Sequence, residues 1–479
     1  MAAGLDPALN RLPETVRHIH VMGICGTGMA ALAGMLKDSG YRVTGSDRNV
    51  YPPMSDFLDR AGIEVMEGYR PQNLDPRPDL VIVGNVIQAV FPEAERLAEL
   101  HIPYLSMPQA LALFFLHTHR PLVVAGTHGK TTTSSMLATA LYRAGRSPGF
   151  LIGGIVEAFG SNYRLGKGEE FVVEGDEYDT AFFNKVSKFL HYRPHCAILT
   201  SIEFDHADIF ADIEQIKDSF AAFVQLIPPD GALVACMDDP LVAEIAGLCN
   251  APVISYGTGS DCRWQLRDLV VSGLSSSFTA VKDGVPFGKF SLPMPGMHNG
   301  LNGLAVIALM DHLGIEQPAI SKGLASFEGV KRRQQIRGEV NGIIVLDDFA
   351  HHPTAVRETI KALRQGWPER RLVIVFEPRT NSSRRAVFQE QYATAFTGAD
   401  LVVVREIVPL DTVPEDEQFS SRKLVAALAG QGIAAEYFPD TDTILNFLAD
   451  QARSGDSIAI LSNGGFDDIH ERLLSRLEK

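Results

Sequence analysis

The stretch Ala125-Gly126-Thr127-His128-Gly129-Lys130-Thr131-Thr132-Thr133 decides the fold of the central part of this chain. It follows the apolar run Pro121-Leu122-Val123-Val124 and precedes a helix-like stretch from Ser134 to Tyr142. A strand, a glycine loop with Gly-Lys-Thr and a helix form a phosphate-binding loop, because backbone N–H groups and the helix N-terminus attract phosphate oxygens. In such a loop Lys130 reaches the β- and γ-phosphates and the Thr131 hydroxyl binds Mg²⁺. The sequence therefore predicts a nucleoside triphosphate site, with a loop of the form GxxG that is shorter than the usual GxxxxG.

Composition narrows the class of protein. A chain of 479 residues predicts more than one domain, and 46% hydrophobic with 21% charged residues is typical of globular proteins. The formal net charge of −15 argues against a nucleic acid or an anionic membrane as partner. The five cysteines form no CxxC pair, so neither a zinc site nor a disulfide framework is expected, and a reducing cytoplasm fits. The N-terminal segment has no apolar core, so we expect no signal peptide, and no run is long enough for a membrane span.

Strands alternate with helices along the whole chain, which predicts parallel α/β sheets. Three such units follow one another. In the second of them, His298 to Leu313 reads as a helix with an apolar face. A β-rich excursion covers Ser255 to Gly288. The predicted strands are His18–Met22, Tyr41–Ser46, Leu80–Gly84, Phe171–Glu174, Ala197–Thr200, Ile343–Leu346, Leu372–Phe376, Leu401–Val404 and Ser457–Leu461. The predicted helices of the third unit include Ala355–Arg364 and Arg422–Ala429.

Carboxylates cluster after one of the central strands, in Glu174-Gly175-Asp176-Glu177-Tyr178-Asp179. A solvated acidic loop is one interpretation. Since ligands bind beyond the carboxyl ends of parallel strands and Mg²⁺ prefers oxygen ligands, we favour Glu174 as a metal-site residue. After the next strand, Asp205 could orient the ring of His206, which is either structural or a ligand.

Amides and cations mark the remaining candidate positions. Asn299 and Asn302 share one helical face, where they either cap the helix or contact a purine edge. Arg333, in Lys331-Arg332-Arg333, is either part of a solvated patch or a cation for a γ-phosphate. Arg379, in Glu377-Pro378-Arg379-Thr380-Asn381, could bind a carboxylate in bidentate fashion.

Two further turns follow strands. The turn Gly23-Ile24-Cys25-Gly26-Thr27-Gly28 opens a helix and could hold a pyrophosphate. Asp47 follows about 20 residues later in the sequence. It departs from GxGxxG, so it is equally consistent with a structural turn. The segment Asp347-Asp348-Phe349-Ala350-His351-His352-Pro353 either caps a helix or contacts a ribose.

Taken in order, these motifs resemble those of the Mur ligase family. The motifs that carry the resemblance are AGTHGKTTT, EGDEYD, EFDH, HNGLN, KRRQ and DDFAHHP, spread from about Gly23 to about Gly465. The resemblance implies three consecutive α/β domains: a Rossmann-like UDP-binding domain over 1–118, a P-loop ATPase-like central domain over 119–333, and a Rossmann-like C-terminal domain over 334–479.

The resemblance also implies a reaction and a set of site residues. ATP would phosphorylate a carboxylate, and an amine would then attack the acyl phosphate. Catalytic roles fall to Lys130, Glu174, His206 and Arg333, and metal binding to Thr131, Glu174 and His206. ATP would contact Gly126, Thr127, Gly129, Lys130, Thr131, Thr132, Asn299, Asn302 and Asp348. The other substrates would contact Gly23, Gly26, Gly28, Asp47, His351, Arg379 and Asn381.

The segments GICGTGM, TGSD and DDFAHHPT resemble the branch of the family that starts from UDP-N-acetylmuramate. EGDEYDTAFFNKVSKF, FEPRTN and LSNGGF resemble members that add the tripeptide L-alanyl-γ-D-glutamyl-meso-diaminopimelate in peptidoglycan recycling. L-Alanine as the amine is the nearest alternative. A nicotinamide dehydrogenase that uses the first glycine turn and a catalytically silent nucleotide sensor are further alternatives. Phe220 stands near the position where several family members have a carbamylated lysine, which leaves a second Mg²⁺ site open.

Overall fold

A computed structural model describes residues 4–51, 54–206, 209–411 and 413–478. The chain folds into two units, each with its own strands and helices. The first unit comprises Met1–Ile155, Phe159–Ile202 and Ile216–Ser255, and the second comprises Val156–Ala158, Glu203–Gln215 and Tyr256–Lys479. Within the described ranges, no helix combines the length and the apolar character that crossing a membrane requires.

The first unit begins with a parallel sheet. Its strands are β1 (His18–Met22), β2 (Arg42–Asp47), β3 (Glu64–Glu67), β4 (Leu80–Val83) and β5 (Tyr104–Ser106). Its helices are α1 (Thr27–Asp38), α2 (Met54–Arg60), α3 (Pro92–Glu99) and α4 (Met107–Phe114). The strand order is β3-β2-β1-β4-β5, and all neighbours are parallel. The three strands predicted here are confirmed, whereas β3 and β5 were not predicted because they are short.

The phosphate loop lies in the second set of strands of this unit. These strands are β6 (Arg120–Ala125), β7 (Gly149–Val156), β8 (Ser161–Arg164), β9 (Glu170–Gly175), β10 (Cys196–Leu199), β11 (Ala232–Cys236) and β12 (Val253–Gly257). The helices are α5 (Lys130–Arg143), α6 (Ile213–Val224) and α7 (Pro240–Ala246). β6 lies between β10 and β9 and pairs in parallel with both. Because both faces of such a strand are covered, its sequence is a continuous apolar run.

The second unit begins with the predicted β-rich excursion. It is an antiparallel meander of β13 (Trp264–Ser272), β14 (Ser275–Lys282) and β15 (Val285–Leu292). The helices α8 (Met297–His312) and α9 (Gln317–Ala325) follow. Helix α8 confirms the helix predicted from His298, and its apolar side is buried.

The last sheet contains all the strands predicted for the third α/β unit. It consists of β16 (Gln335–Val340), β17 (Ile343–Asp348), β18 (Arg371–Phe376), β19 (Leu401–Arg405), β20 (Ala434–Phe438) and β21 (Asp456–Leu461). Its helices are α10 (Pro353–Gly366), α11 (Gln389–Ala395), α12 (Ser421–Gly430), α13 (Thr441–Gln451) and α14 (Ile469–Leu477). The order is β16-β17-β21-β18-β19-β20, with β16 antiparallel to β17 and the other pairs parallel. Apolar clusters cover both faces of this sheet. Because β18 and β21 are parallel neighbours, the loops at their carboxyl ends lie side by side.

Candidate active site

The glycine loop after β6 has the backbone that a phosphate-binding loop needs. Gly126 and Gly129 adopt φ values of +130° and +81°, which favour glycine, and α5 begins at Lys130. A Cβ at Gly126 would collide with Thr200 and would lie 2.9 Å from the backbone N of Ser201. The loop therefore packs against the end of β10 so closely that only glycine fits.

Hydrogen bonds fix the path of this loop. The N–H of Thr127 donates to the carbonyl of Ser201 over 2.8 Å, and the N–H of His128 donates to the Ser201 hydroxyl over 3.0 Å. The Thr200 hydroxyl donates to the His128 carbonyl over 2.6 Å. These contacts hold the loop in the conformation that its glycines permit.

Lys130 is only 13% exposed and is surrounded by acceptors. Its Nζ donates to the Gly126 carbonyl over 2.6 Å, to the Thr127 carbonyl over 3.2 Å and to Glu177 Oε1 over 3.0 Å. Burial opposes the charged form of Lys130, but the carboxylates of Glu177 and Asp176 outweigh it, so the pKa of Lys130 is raised. The ammonium is therefore charged before any phosphate arrives.

Glu174 and Thr131 place two side-chain oxygens next to each other. The Thr131 hydroxyl donates to Glu174 Oε1 over 3.0 Å, and the Gly153 N–H donates to Glu174 Oε2 over 2.8 Å. Two neighbouring ligands of an octahedral Mg²⁺, each about 2.1 Å from the ion, are about 3 Å apart. This hydroxyl and carboxylate therefore fit the magnesium ion that the sequence predicts at Thr131 and Glu174.

The acidic run after Glu174 is not the solvated loop of the alternative interpretation. Asp176 pairs with Lys188 at 2.6 Å, Glu177 with Lys130 at 2.9 Å, and Asp179 with Lys185 at 2.6 Å. Burial would raise the pKa of Asp176, but the ammonium groups of Lys188 and Lys130 hold it well below its usual range. A few residues on, Ala181 is buried in the core of the first sheet with Met22 and Tyr69. The segment therefore joins the phosphate loop to that sheet.

The first glycine turn is held by the strand beside it. Gly23 has φ +78°, and its N–H donates to the Ser46 carbonyl over 2.8 Å. Asp47 is buried, and its Oδ2 accepts the N–H of Cys25 over 2.9 Å. The burial of the Cys25 thiol, with the charge of Asp47, raises the pKa of this thiol to about 11. Asp47 thus supports the turn from Gly23 to Gly28, and its contact with a nucleotide remains a prediction.

In the second unit, Gln334 connects two residues that are predicted to contact the nucleotide, Asn299 and Asp348. The Asn299 amide donates to Gln334 Oε1 over 3.1 Å and to the Pro295 carbonyl over 2.8 Å. The Gln334 N–H donates to Asp348 Oδ2 over 2.8 Å, and the N–H of Ala350 donates to Asp348 Oδ1 over 2.7 Å. The sequence indicated Asn299 and Asp348 but missed Gln334, although the KRRQ motif contains it. Asn302 is also buried on α8, and burial raises the pKa of Asp348.

A group of histidines lies around Asp205 in the same unit. The His206 N–H donates to Asp205 Oδ1 over 2.6 Å, and His206 Nδ1 is 3.9 Å from the same oxygen. Burial opposes ionisation of Asp205, yet the charges of His206 and His351 hold its pKa below the usual range. Burial lowers the pKa of His351, whose Nδ1 is 3.0 Å from the Phe349 carbonyl. Asp205 thus binds the backbone of His206, and both the orientation of the His206 ring by Asp205 and metal binding by His206 remain predictions.

The second unit also contains two candidate cations, Arg333 and Arg379. Arg333 lies over the ring of Phe349, with 4.8 Å from its Cζ to the ring centroid. Arg379 lies beyond β18, and its side chain is 52% exposed. Its Nη1 is 3.9 Å from Glu377 Oε1, whereas Arg405 is 2.6 Å from the same oxygen. Glu377 therefore pairs mainly with Arg405 and leaves most of the charge of Arg379 uncompensated.

The predicted site residues divide between the two units. The first unit brings Lys130 and Thr131 of the glycine loop together with Glu174, and it also holds the turn at Gly23. The second unit holds the remaining candidates, which are His206, Asn299, Asn302, Arg333, Asp348, His351, Arg379 and Asn381.

Three family models match successive parts of this chain. The model of the Mur ligase family, catalytic domain, matches residues 18–119. The Mur ligase middle domain matches residues 124–310, and the Mur ligase, glutamate ligase domain, matches residues 332–464. The matches follow the order of the three α/β units predicted from the sequence.

Full-length relatives agree with these matches. The UDP-N-acetylmuramate–L-alanyl-gamma-D-glutamyl-meso-2,6-diaminoheptandioate ligase of Escherichia coli (strain K12) is 39% identical over 463 residues, which cover 96% of this chain and 98% of the relative. The UDP-N-acetylmuramate–L-alanine ligase of Geotalea daltonii is 35% identical, with 97% and 99% covered. A crystal structure of a murein peptide ligase from Psychrobacter arcticus 273-4 matches with a TM-score of 0.72 at 35% identity, covering 97% of this chain and 99% of that one.

Proposed function

The chain belongs to the Mur ligase family, and we propose that it joins UDP-N-acetylmuramate to the tripeptide L-alanyl-γ-D-glutamyl-meso-diaminopimelate in murein recycling. Members of this family are ATP-dependent ligases. The observation that carries the proposal is the full-length similarity to a ligase named for these two substrates, at 39% identity. The buried ammonium of Lys130 in its glycine loop is the part of the site that such a reaction requires.

The chemistry forms and breaks two bonds in sequence. The muramic acid carboxylate attacks the γ-phosphorus of ATP, and ADP leaves with the electrons of the broken P–O bond. The tripeptide amine then attacks the acyl carbon, loses a proton and expels phosphate. Catalysis of phosphoryl transfer rests mainly on positioning and charge neutralisation. Lys130 supplies a fixed positive charge for this, and the loop from Gly126 to Thr132 orients the phosphates.

We propose that Thr131 and Glu174 hold one Mg²⁺ and that His206 also binds metal, as the family motifs imply. When bound, this ion neutralises charge on the phosphates and on the acyl phosphate. The Thr131 hydroxyl and the Glu174 carboxylate support the proposal because they already converge within 3.0 Å.

The remaining site residues follow from the family motifs. We propose that Asn299, Asn302 and Asp348 contact the nucleoside and that Arg333 contacts the transferring phosphate. The turn with Gly23, Gly26, Gly28 and Asp47 would hold the UDP group, and His351, Arg379 and Asn381 would hold the peptide. The domains that carry these sites are proposed to span 1–118, 119–333 and 334–479. ATP and UDP-sugars are cytoplasmic metabolites, so we propose that the enzyme lies in the cytoplasm.

One experiment tests the amine substrate. Purified protein is supplied with UDP-N-acetylmuramate, ATP and Mg²⁺, and phosphate release is measured with either the tripeptide or L-alanine. We expect release with the tripeptide and a much lower rate with L-alanine. The opposite result would favour the L-alanine ligase, which the 35% identity to such a ligase makes the second candidate. If neither amine leads to phosphate release, both candidate functions are contradicted.

A further inference from the structure

Arg384 holds a positive charge among neutral partners. Its Nη1 donates to the Val408 carbonyl over 3.0 Å, and its Nη2 donates to the Asn381 side-chain oxygen over 3.3 Å. Its Nε is buried without a hydrogen-bond partner. Among the residues that the structure describes, no carboxylate lies within 4.0 Å of Arg384. A half-buried guanidinium in this state lacks the ionic partner that usually compensates its loss of water.

A second cation, Arg379, lies in the same loop as Arg384. Burial, and second the charge of Arg379, lower the pKa of Arg384, so the charged form of Arg384 is less favoured than in water. Arg379 does not find full compensation either, because Glu377 is bound by Arg405 at 2.6 Å and by the Ser462 hydroxyl at 2.6 Å. The two arginines thus form a pair of like charges to which an anion would be attracted.

The position of the pair matches a ligand site. Arg379 and Arg384 lie in the loop after β18, and the side chain of Arg379 lies across Gly464 in the loop after the neighbouring strand β21. Ligands of open α/β sheets bind outside the carboxyl ends of the strands. Arginine forks bind carboxylates with two parallel hydrogen bonds, which makes carboxylates the expected ligand class.

The chemistry of the two possible amines then separates them. In the tripeptide, the carboxyl group of the L-alanyl residue is an amide, and every free carboxylate belongs to the glutamyl or diaminopimelyl residue. L-Alanine has its carboxylate on the carbon that bears the attacking amine. An arginine placed for a carboxylate further along the peptide therefore contributes nothing to L-alanine binding.

We propose that Arg384 binds either the glutamyl α-carboxylate or the side-chain carboxylate of the diaminopimelyl residue, and that together with Arg379 it makes the enzyme specific for a peptide. This inference rests on the function proposed above. Arg384 has no carboxylate partner among the described residues, and Glu377 lies 3.9 Å from Arg379, so a peptide with two or more carboxylates can pair with both arginines. A single amino acid leaves the pair uncompensated.

The test compares wild-type enzyme and Arg384→Gln with three peptides. The first is the tripeptide, the second has L-lysine in place of diaminopimelate, and the third has the glutamyl α-carboxylate as an amide. We expect Arg384→Gln to raise the KM for the tripeptide about 10- to 100-fold, with a smaller change in kcat. For the analogue that lacks the carboxylate bound by Arg384, wild type and variant should have equal KM values. The KM values for ATP and UDP-N-acetylmuramate should not change.

Controls separate this inference from the proposed function. Arg453→Gln makes the same charge change at a side chain that is 71% exposed and should leave the KM for the tripeptide unchanged. Failure of the wild type to use any peptide would contradict the proposed function itself. Suppose that wild type uses the tripeptide. The inference is then wrong if Arg384→Gln has the same KM for the tripeptide as wild type, or if its KM rises by the same factor for all three peptides. If the variant does not fold, the wild type alone decides: equal KM values for all three peptides would overturn the inference.

Discussion

Two clusters of positive charge at strand ends differ in how they are compensated. Lys130, beyond β6, is almost enclosed and is paired with Glu177 at 2.9 Å. Arg379 and Arg384, beyond β18, donate to neutral oxygens or share a carboxylate that already belongs to Arg405. Lys130 thus already has an anionic partner, whereas no carboxylate of the described residues lies within 4.0 Å of Arg384.

The difference matches the ligands that we propose for the two sites. A triphosphate brings several negative charges and Mg²⁺, so Lys130 can leave Glu177 and still gain. A peptide carboxylate brings a single charge, which would compete poorly with a carboxylate of the protein. A site for such a ligand works best when the protein leaves its arginines without anionic partners.

The largest effect is expected from removing the compensated cation. Lys130→Ala should lower the rate of ATP-dependent amide formation by about 1,000-fold or more, because a charge positioned for the transferring phosphate is lost. Phosphate release under saturating substrates measures it. Lys167→Ala, at an exposed lysine, is the matched control and should retain full activity. Normal turnover by Lys130→Ala would contradict the assignment of the phosphate site.

The uncompensated cluster should respond in KM rather than in kcat. Arg379→Ala should raise the KM for the tripeptide about 10- to 100-fold, since a charge-assisted contact to the substrate is removed. Arg379→Lys retains the charge but lacks the two parallel donors of a guanidinium, so its KM for the tripeptide should lie between those of wild type and Arg379→Ala. Steady-state kinetics with varied tripeptide decide the matter, and an unchanged KM in Arg379→Ala would show that this arginine does not contact the peptide.

Glu177 tests whether a counter-ion competes with ATP. Glu177→Gln removes the charge that holds Lys130, so we expect the KM for ATP to fall about 3- to 10-fold, which corresponds to a net contribution of about 1 kcal/mol. Glu169→Gln, at a side chain that is 73% exposed, serves as control. A higher KM for ATP in Glu177→Gln would mean that Glu177 supports nucleotide binding instead of opposing it.

The smallest effect concerns the support of Arg379. A Cβ at Gly464 would collide with Cδ and Nε of Arg379, so Gly464→Ala should displace this side chain and raise the KM for the tripeptide about 2- to 5-fold. Gly465→Ala adds a methyl group where nothing lies within 4 Å and should change neither KM nor the unfolding midpoint. Equal behaviour of the two variants would show that Gly464 does not position Arg379.

Local patterns in the sequence predicted the fold because they are carried by neighbouring residues. The apolar run before Gly126 and the Gly-Lys-Thr that follows it identify β6, the loop and α5 without knowledge of the rest of the chain. The full α/β architecture could be predicted in the same way, since buried parallel strands are continuous apolar runs. Short, half-exposed strands such as β3 have no such pattern and were missed.

The charge pairs of the site could not be predicted in this way. Glu177 is separated from Lys130 by 47 positions, and only the path of the intervening chain decides that Glu177, and not Asp179, pairs with the lysine. Arg384 follows the FEPRTN segment closely, but nothing in its neighbours indicates that its partners are neutral. Such properties depend on which groups are absent around a side chain, and a sequence pattern contains no information on absences.

The contact between Lys130 and Glu177 has a consequence for how the nucleotide enters. On the function proposed above, a triphosphate bound at this loop would not add a partner to an empty lysine but would exchange one anion for another around Lys130, whose side chain is 13% exposed. The free energy of binding would then be the difference between two charge pairings. Glu177 would pair with Lys130 again after the phosphate leaves.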